Sequence, residues 1–198
     1  MAATVTLNSP VEETFPSLVL VLPALVVSRR LERASIDLDD LDLKKPGNFG
    51  AVKAQMQYGT MNTMGLEKLA SGNPNVTFVH SWPGWVDTGN VTRISDPNSI
   101  WAWFVWLILD RVIGFFGATD DVSGQRHLFQ STSAAFAGRG VPWTGRPGVN
   151  SLEKPADGLF LVNYKCDCTP NAKVMSLLRE KASDKVWDHT QQVLGPFL

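Results

Sequence analysis

A helix-like stretch, a clean stop and a β-branched run broken by Pro-Gly occur in immediate succession, and this limits what the chain can fold into. From Met56 to Ala70, apolar Met61, Met64, Leu66 and Leu69 recur at helical spacing, which predicts an amphipathic helix. Ser71-Gly-Asn-Pro74 ends it, because glycine and asparagine tolerate left-handed backbone and proline cannot continue a helix. Val76 to Trp82 then alternates and is rich in β-branched and aromatic residues, the pattern of a buried strand. Pro83-Gly84 stops that strand: proline cannot donate to the ladder, and glycine lets another group approach the backbone closely. Helix, short turn and buried strand form the second half of a βαβ crossover, so the expected class is α/β with a parallel sheet flanked by helices. In open sheets of this kind, ligands bind outside the carboxyl ends of the strands. The polar turn that follows, with Asp87 and Thr88, is then either a wall of such a site or a tight turn after a core strand.

The chain's 198 residues suffice for one domain with a sizeable core, and residues 1–198 are expected to form one, with 1–14 flexible. A formal net charge of −1 with scattered Lys and Arg gives no reason to expect a nucleic-acid or polyanion partner. Cys166 and Cys168, one residue apart, fit a disulfide poorly and lack partners for a zinc site. Read as reduced thiols, they suit a cytoplasmic protein. Met1 to Thr14 does not read as a signal peptide. Without one, the sequons Asn75-Val-Thr77 and Asn90-Val-Thr92 carry little meaning.

Elsewhere the pattern is coarser. Phe15 to Ser28 holds two apolar runs split by Pro23, too short to span a bilayer: a helix end then a strand, or two short strands. The four carboxylates between Asp37 and Asp42 read as a solvated surface loop, since no glycine is placed for a calcium loop. Lys44 to Asn48 is a turn. Ile100 to Gly117 is apolar nearly all round except at Asp110 and Arg111, and falls short of the roughly 20 apolar residues of a spanning helix. Residues 98–118 are thus an aromatic-rich lid over an apolar substrate, an interface or membrane-surface helix through 101–116, or a buried helix. Thr119-Asp-Asp121 opens an amphipathic helix to Ala137. Gly138 to Lys154 is loop, Gly158 to Tyr164 a final strand, and Asn171 to Val193 a closing helix. No His, Cys, Asp or Glu set has metal-ligand spacing, so no metal is expected. His80 and Asp87 are candidates for an acid/base pair beside Pro83-Gly84.

Several pieces occur in a familiar order: Leu38-Asp-Asp-Leu-Asp-Leu43, Thr60-Met-Asn-Thr-Met-Gly-Leu-Glu-Lys-Leu-Ala70, Asn73-Pro74, and Pro83-Gly-Trp-Val-Asp-Thr88. Ser123-Gly-Gln-Arg-His-Leu-Phe129 and Lys185-Val-Trp-Asp-His-Thr190 continue the series. Over most of residues 16–195 the chain resembles a short-chain dehydrogenase/reductase of fungal type, matching the family's C-terminal two thirds. The resemblance implies a truncated Rossmann-like parallel sheet, NADP or NAD as cofactor, and oxidoreductase action on an apolar small molecule of secondary metabolism. It places the family's serine at Ser28, with Ser35 as the alternative, and its tyrosine at Tyr58. It assigns cofactor contacts to Pro83, Gly84, Val86 and Thr88, and substrate contacts to Trp85, Trp101 and Phe104. Two family features are missing. The sequence contains no glycine-rich strand–turn–helix to hold a pyrophosphate, as though the chain began after the family's first four strands. The lysine that should follow the tyrosine by four residues is Asn62, and the alternative alignment on Lys53 and Gln57 also lacks it. A neutral amide cannot lower a tyrosine pKa as an ammonium does. The competing readings are a non-redox pseudoenzyme, an isomerase or cyclase on the same fold, and a module that completes its sheet as a homodimer.

Overall fold

The computed structural model describes residues 17–21, 32–33, 35–84, 118–138 and 140–197. Within them the chain runs β1 (Ser17–Val21), α1 (Ala51–Gly72), β2 (Thr77–Ser81), α2 (Asp120–Thr132), β3 (Leu159–Val162), α3 (Ala172–Lys181) and α4 (Ser183–Leu194), closing on a 3₁₀ turn at Gly195–Phe197. The described strands form one sheet in the order β1-β2-β3, parallel throughout. His80 stands opposite Leu20 on one side and Leu161 on the other. The class is α/β, as the sequence pattern predicts.

Strand alternation divides the core in two. Phe78, Leu159 and Leu161 face α1, α3 and α4 and pack with Met64, Leu66, Met175, Leu178 and Val186. Val79, Phe160 and Val162 face the other way, against Ala135 and Phe136 just after α2. The sheet is therefore covered on both faces, as a parallel sheet requires.

Helix α1 starts five residues before the predicted Met56, at Ala51, because Gly50 supplies no side-chain cap and leaves no start signal to read. Its end is as expected: the Asn73 side chain donates to Leu69 O at 2.8 Å ahead of Pro74. Thr119 caps α2 through the Val122 N–H, with Asp120 and Asp121 in the first turn. The predicted closing helix is two helices. Ala182 leaves helical backbone (φ −130°) and redirects α4 so that Val186 enters the same cluster as Leu178.

The acidic loop before α1 differs from its predicted solvated state. Leu41, Leu43 and Asp40 are buried. Asp40 accepts from the backbone N–H groups of Lys44 (2.8 Å) and Lys45 (2.9 Å) and from the Asn48 amide. Gln57 stitches this loop to α1: Nε2 donates to Asp40 O (2.9 Å) and Leu41 O (3.0 Å), and Oε1 accepts from Asp37 N (2.9 Å). Gln57→Ala is expected to cost about 2 kcal/mol, because it leaves buried backbone groups unpaired. Urea denaturation reads this directly, and a loss under about 0.5 kcal/mol would mean that water replaces the amide. A second tie holds the far end of α1. Glu67 accepts from Arg179 Nε (2.8 Å) and Nη2 (2.7 Å) and from the Ser151 hydroxyl, joining α1, α3 and the loop before β3.

Candidate functional site

The middle described strand ends at a built corner. The Trp82 N–H donates to Val162 O at 2.8 Å, extending the ladder one residue past β2, and Pro83 then terminates it. Gly84 has φ +77°, and a Cβ there would lie 2.9 Å from Tyr164 Cβ. The Trp82 and Tyr164 rings meet edge to face, with centroids 5.6 Å apart. The Arg126 guanidinium and the Lys165 ammonium each stand 5.7 Å from the Tyr164 ring centroid. Glycine is thus required at 84 both by its backbone and by its neighbour. Gly84→Ala is expected to destabilise the fold by about 2 kcal/mol. Thermal denaturation is the check, and a variant as stable as the parent would show that this corner relaxes freely.

His80, 2% exposed, lies two residues before Trp82 and on the same face of the strand. Its Nδ1 is 2.7 Å from Thr63 Oγ1 on α1. Thr63 Oγ1 also lies 3.0 Å from Gly59 O and 3.4 Å from Glu32 Oε1. Burial pushes the His80 pKa down to about 4, so the ring is neutral at ordinary pH. Sequence reasoning singled out His80 but not Thr63 or Glu32. The signal for Thr63 is that a polar residue falls on the apolar face of α1, and such a residue needs a buried partner.

The sequence-derived site residues separate here. Pro83 and Gly84 follow Trp82 at the strand end, where Gly84 and Trp82 both rest against Tyr164. Tyr58 lies elsewhere: five residues from Thr63, it is turned roughly 140° around the helix. It lines an open groove of about 290 Å³ between α1 and α4 with Asn62, Leu66, Leu69 and Trp187. Its hydroxyl donates to Asp42 O at 2.9 Å. Lys53 faces the acidic loop, bonded to Asn48 and 3.6 Å from Asp37. Ser28, Trp85, Val86, Asp87, Thr88, Trp101 and Phe104 lie outside the described residues, as does nearly all of 98–118. Among the described residues no group of three His, Cys, Asp or Glu could hold a metal ion, and no helix is long and apolar enough to cross a membrane.

The chain is similar to several fungal oxidoreductases. It is 33% identical over 168 residues to Oxidoreductase AN1596 of Emericella nidulans, a match covering 81% of this chain and 49% of that protein. It is 32% identical over 162 residues to the NmrA-like family domain-containing oxidoreductase notO of an Aspergillus species, covering 79% of this chain and 44% of notO. Oxidoreductase andH of Emericella variicolor is 27% identical over 166 residues, 78% of this chain and 47% of andH. The chain spans about half the length of the curated relatives it matches. No family model matches it, and no solved structure does.

Proposed function

We propose that this chain acts as a short-chain dehydrogenase/reductase-like oxidoreductase on a Rossmann-like parallel sheet, with NADP or NAD and an apolar small molecule of secondary metabolism as its ligands. The observation that carries the reading is the corner at Trp82-Pro83-Gly84. It ends the middle described strand of a parallel sheet, where ligands of such sheets sit, in a chain similar to fungal oxidoreductases over about four fifths of its length. The residues present fit the nicotinamide end of a dinucleotide in part. Unpaired buried polar atoms on His80 and Trp82 lie at this corner, whereas the sequence offers no glycine-rich turn for the pyrophosphate. When bound, the cofactor supplies or accepts the hydride. Pro83 and Gly84, with Val86 and Thr88 beyond them, would hold its nicotinamide end. Trp85, Trp101 and Phe104 would line the apolar substrate, with 98–118 as its lid, and Ser28 would handle the proton; the same role for Tyr58 would require it to leave the α1–α4 groove and its bond to Asp42 O. A single cytoplasmic domain that pairs as a homodimer completes the proposal.

A second reading, a non-redox binding protein on the same fold, is favoured by one observation. The Tyr58 hydroxyl is engaged by Asp42 O, and the residue four positions on is the neutral Asn62. Titration with NADPH, followed by the cofactor's fluorescence, separates the two. Saturable binding supports the oxidoreductase. No binding at millimolar NADPH, together with tryptophan quenching by an apolar ligand alone, supports the second reading and ends the first.

A further inference from the structure

Among the described residues, four buried side-chain polar atoms have no hydrogen-bond partner: His80 Nε2, Ser81 Oγ, Trp82 Nε1 and Gln130 Oε1. Three of them belong to consecutive residues immediately before Pro83. Buried polar atoms are costly to leave unpaired, and native folds rarely do so without a reason such as a ligand.

The character of two of these atoms follows from their neighbours. Thr63 has one hydroxyl proton, and Gly59 O, at 3.0 Å, is an acceptor with no proton to give. With the Thr63 proton directed there, the Thr63 oxygen presents a lone pair to His80 Nδ1 at 2.7 Å. In that arrangement the single proton of the neutral ring sits on Nδ1, and Nε2 is a bare acceptor. The Trp82 indole N–H is a donor only. Residues 80 and 82 share a strand face, about 7 Å apart along it, so the residue with the unused acceptor and the residue with the unused donor both lie on one face of the strand end. Ser81 points to the opposite face and is not part of this pair. A carboxylate would set its lone pairs against Nε2, and an ammonium would set its protons against the indole N–H. A neutral group that both donates and accepts satisfies both.

We infer that the end of β2 is a binding point for a neutral hydroxyl or primary carboxamide of a small molecule, with His80 Nε2 accepting from it and Trp82 Nε1 donating to it. The chemistry stands on the geometry. Only the source of the group, a nicotinamide carboxamide or a hydroxyl of an apolar substrate, rests on the oxidoreductase reading.

Long-range ¹H–¹⁵N spectra of the ¹⁵N-labelled chain test this, because only three histidines are present. At pH 7 the free protein should show His80 protonated on Nδ1 and bare on Nε2. Cyclohexanol and nicotinamide are the probes, and cyclohexanone, which accepts but cannot donate, is the control. At least one probe should move the Nε2 resonance saturably and leave cyclohexanone without effect on it. Its affinity should fall about tenfold in Trp82→Phe, the loss of one hydrogen bond. Movement by nicotinamide alone assigns the group to a cofactor, and movement by cyclohexanol alone assigns it to a substrate. A proton found on Nε2, no movement with either probe at its solubility limit, or an unchanged affinity in Trp82→Phe overturns the inference. Failure to bind NADPH while cyclohexanol moves His80 removes the oxidoreductase reading and leaves this site standing. NADPH binding with neither probe moving His80 does the reverse.

Discussion

Phe160→Ala should lower the free energy of unfolding by about 4 kcal/mol, the cost of emptying a well-packed aromatic site. Phe160 is 0% exposed, sits opposite Val79 across the β2–β3 ladder, and meets Phe136 edge to face at 5.5 Å. Phe136, Val162 and Ala135 close around it on the face away from α1. For a chain of this length that loss corresponds to a fall of roughly 8–16 °C in Tm. Urea denaturation followed by circular dichroism measures it. A loss below about 1 kcal/mol would mean that this second face is not a packed core. The corner should suffer as well, because β3 leads directly into Tyr164, against which Gly84 and Trp82 rest.

The second large effect is a pH dependence. The His80 ring titrates near 6.5 when exposed and at about 4 in the folded chain, because burial penalises its charged form. Above pH 6.5 the ring is neutral in both states and contributes no slope. As pH falls from 6.5 toward about 4, the unfolded chain takes up a proton that the folded chain refuses, so stability declines. Across that window the loss amounts to about 3 kcal/mol, and below it this group adds nothing further. Urea midpoints at pH 7 and pH 4.5 should show the decline in the parent, and His80→Gln should abolish most of it. An equal decline in the variant would move the effect to other groups. The acidic loop separates cleanly from this window. The Asn48 amide beside Asp37, and Lys44 beside Asp42, hold those carboxyls below their ordinary range. Desolvation pulls Asp40 upward, but the Asn48 amide and the backbone N–H groups of Lys45 and Lys44 outweigh it. Their stabilising contributions are present above the usual carboxylate pKa and are lost only in stronger acid.

Elements with strong local punctuation are legible from the residue order alone. The end of α1 at Asn73-Pro74, the strand before Pro83-Gly84 and the Thr119 cap of α2 each rest on backbone chemistry that acts within a few residues. The start of α1 and the break at Ala182 are not legible. Gly50 carries no cap, and alanine is an ordinary helix residue whose turn there serves the burial of Val186. The acidic run misleads for a related reason. Four carboxylates suggest water, yet Asp40 is buried because Lys44, Lys45 and Asn48 place donors around it. For the site, Pro83 and Gly84 are found by the stop they impose, and Tyr58 by its place on a helix. Helical position alone does not say which way a tyrosine faces, and packing turns this one to the α1–α4 groove.

Residue order is enough to specify an α/β chain with a parallel strand ending in Pro-Gly, because period, branching and turn chemistry are local properties. It does not specify that His80 meets Thr63, or that buried His80 and Trp82 keep hydrogen-bonding atoms unused. That arrangement exists only once α1 is laid across the sheet, since desolvation and hydrogen-bond pairing depend on what surrounds a group in space, not on its neighbours along the chain.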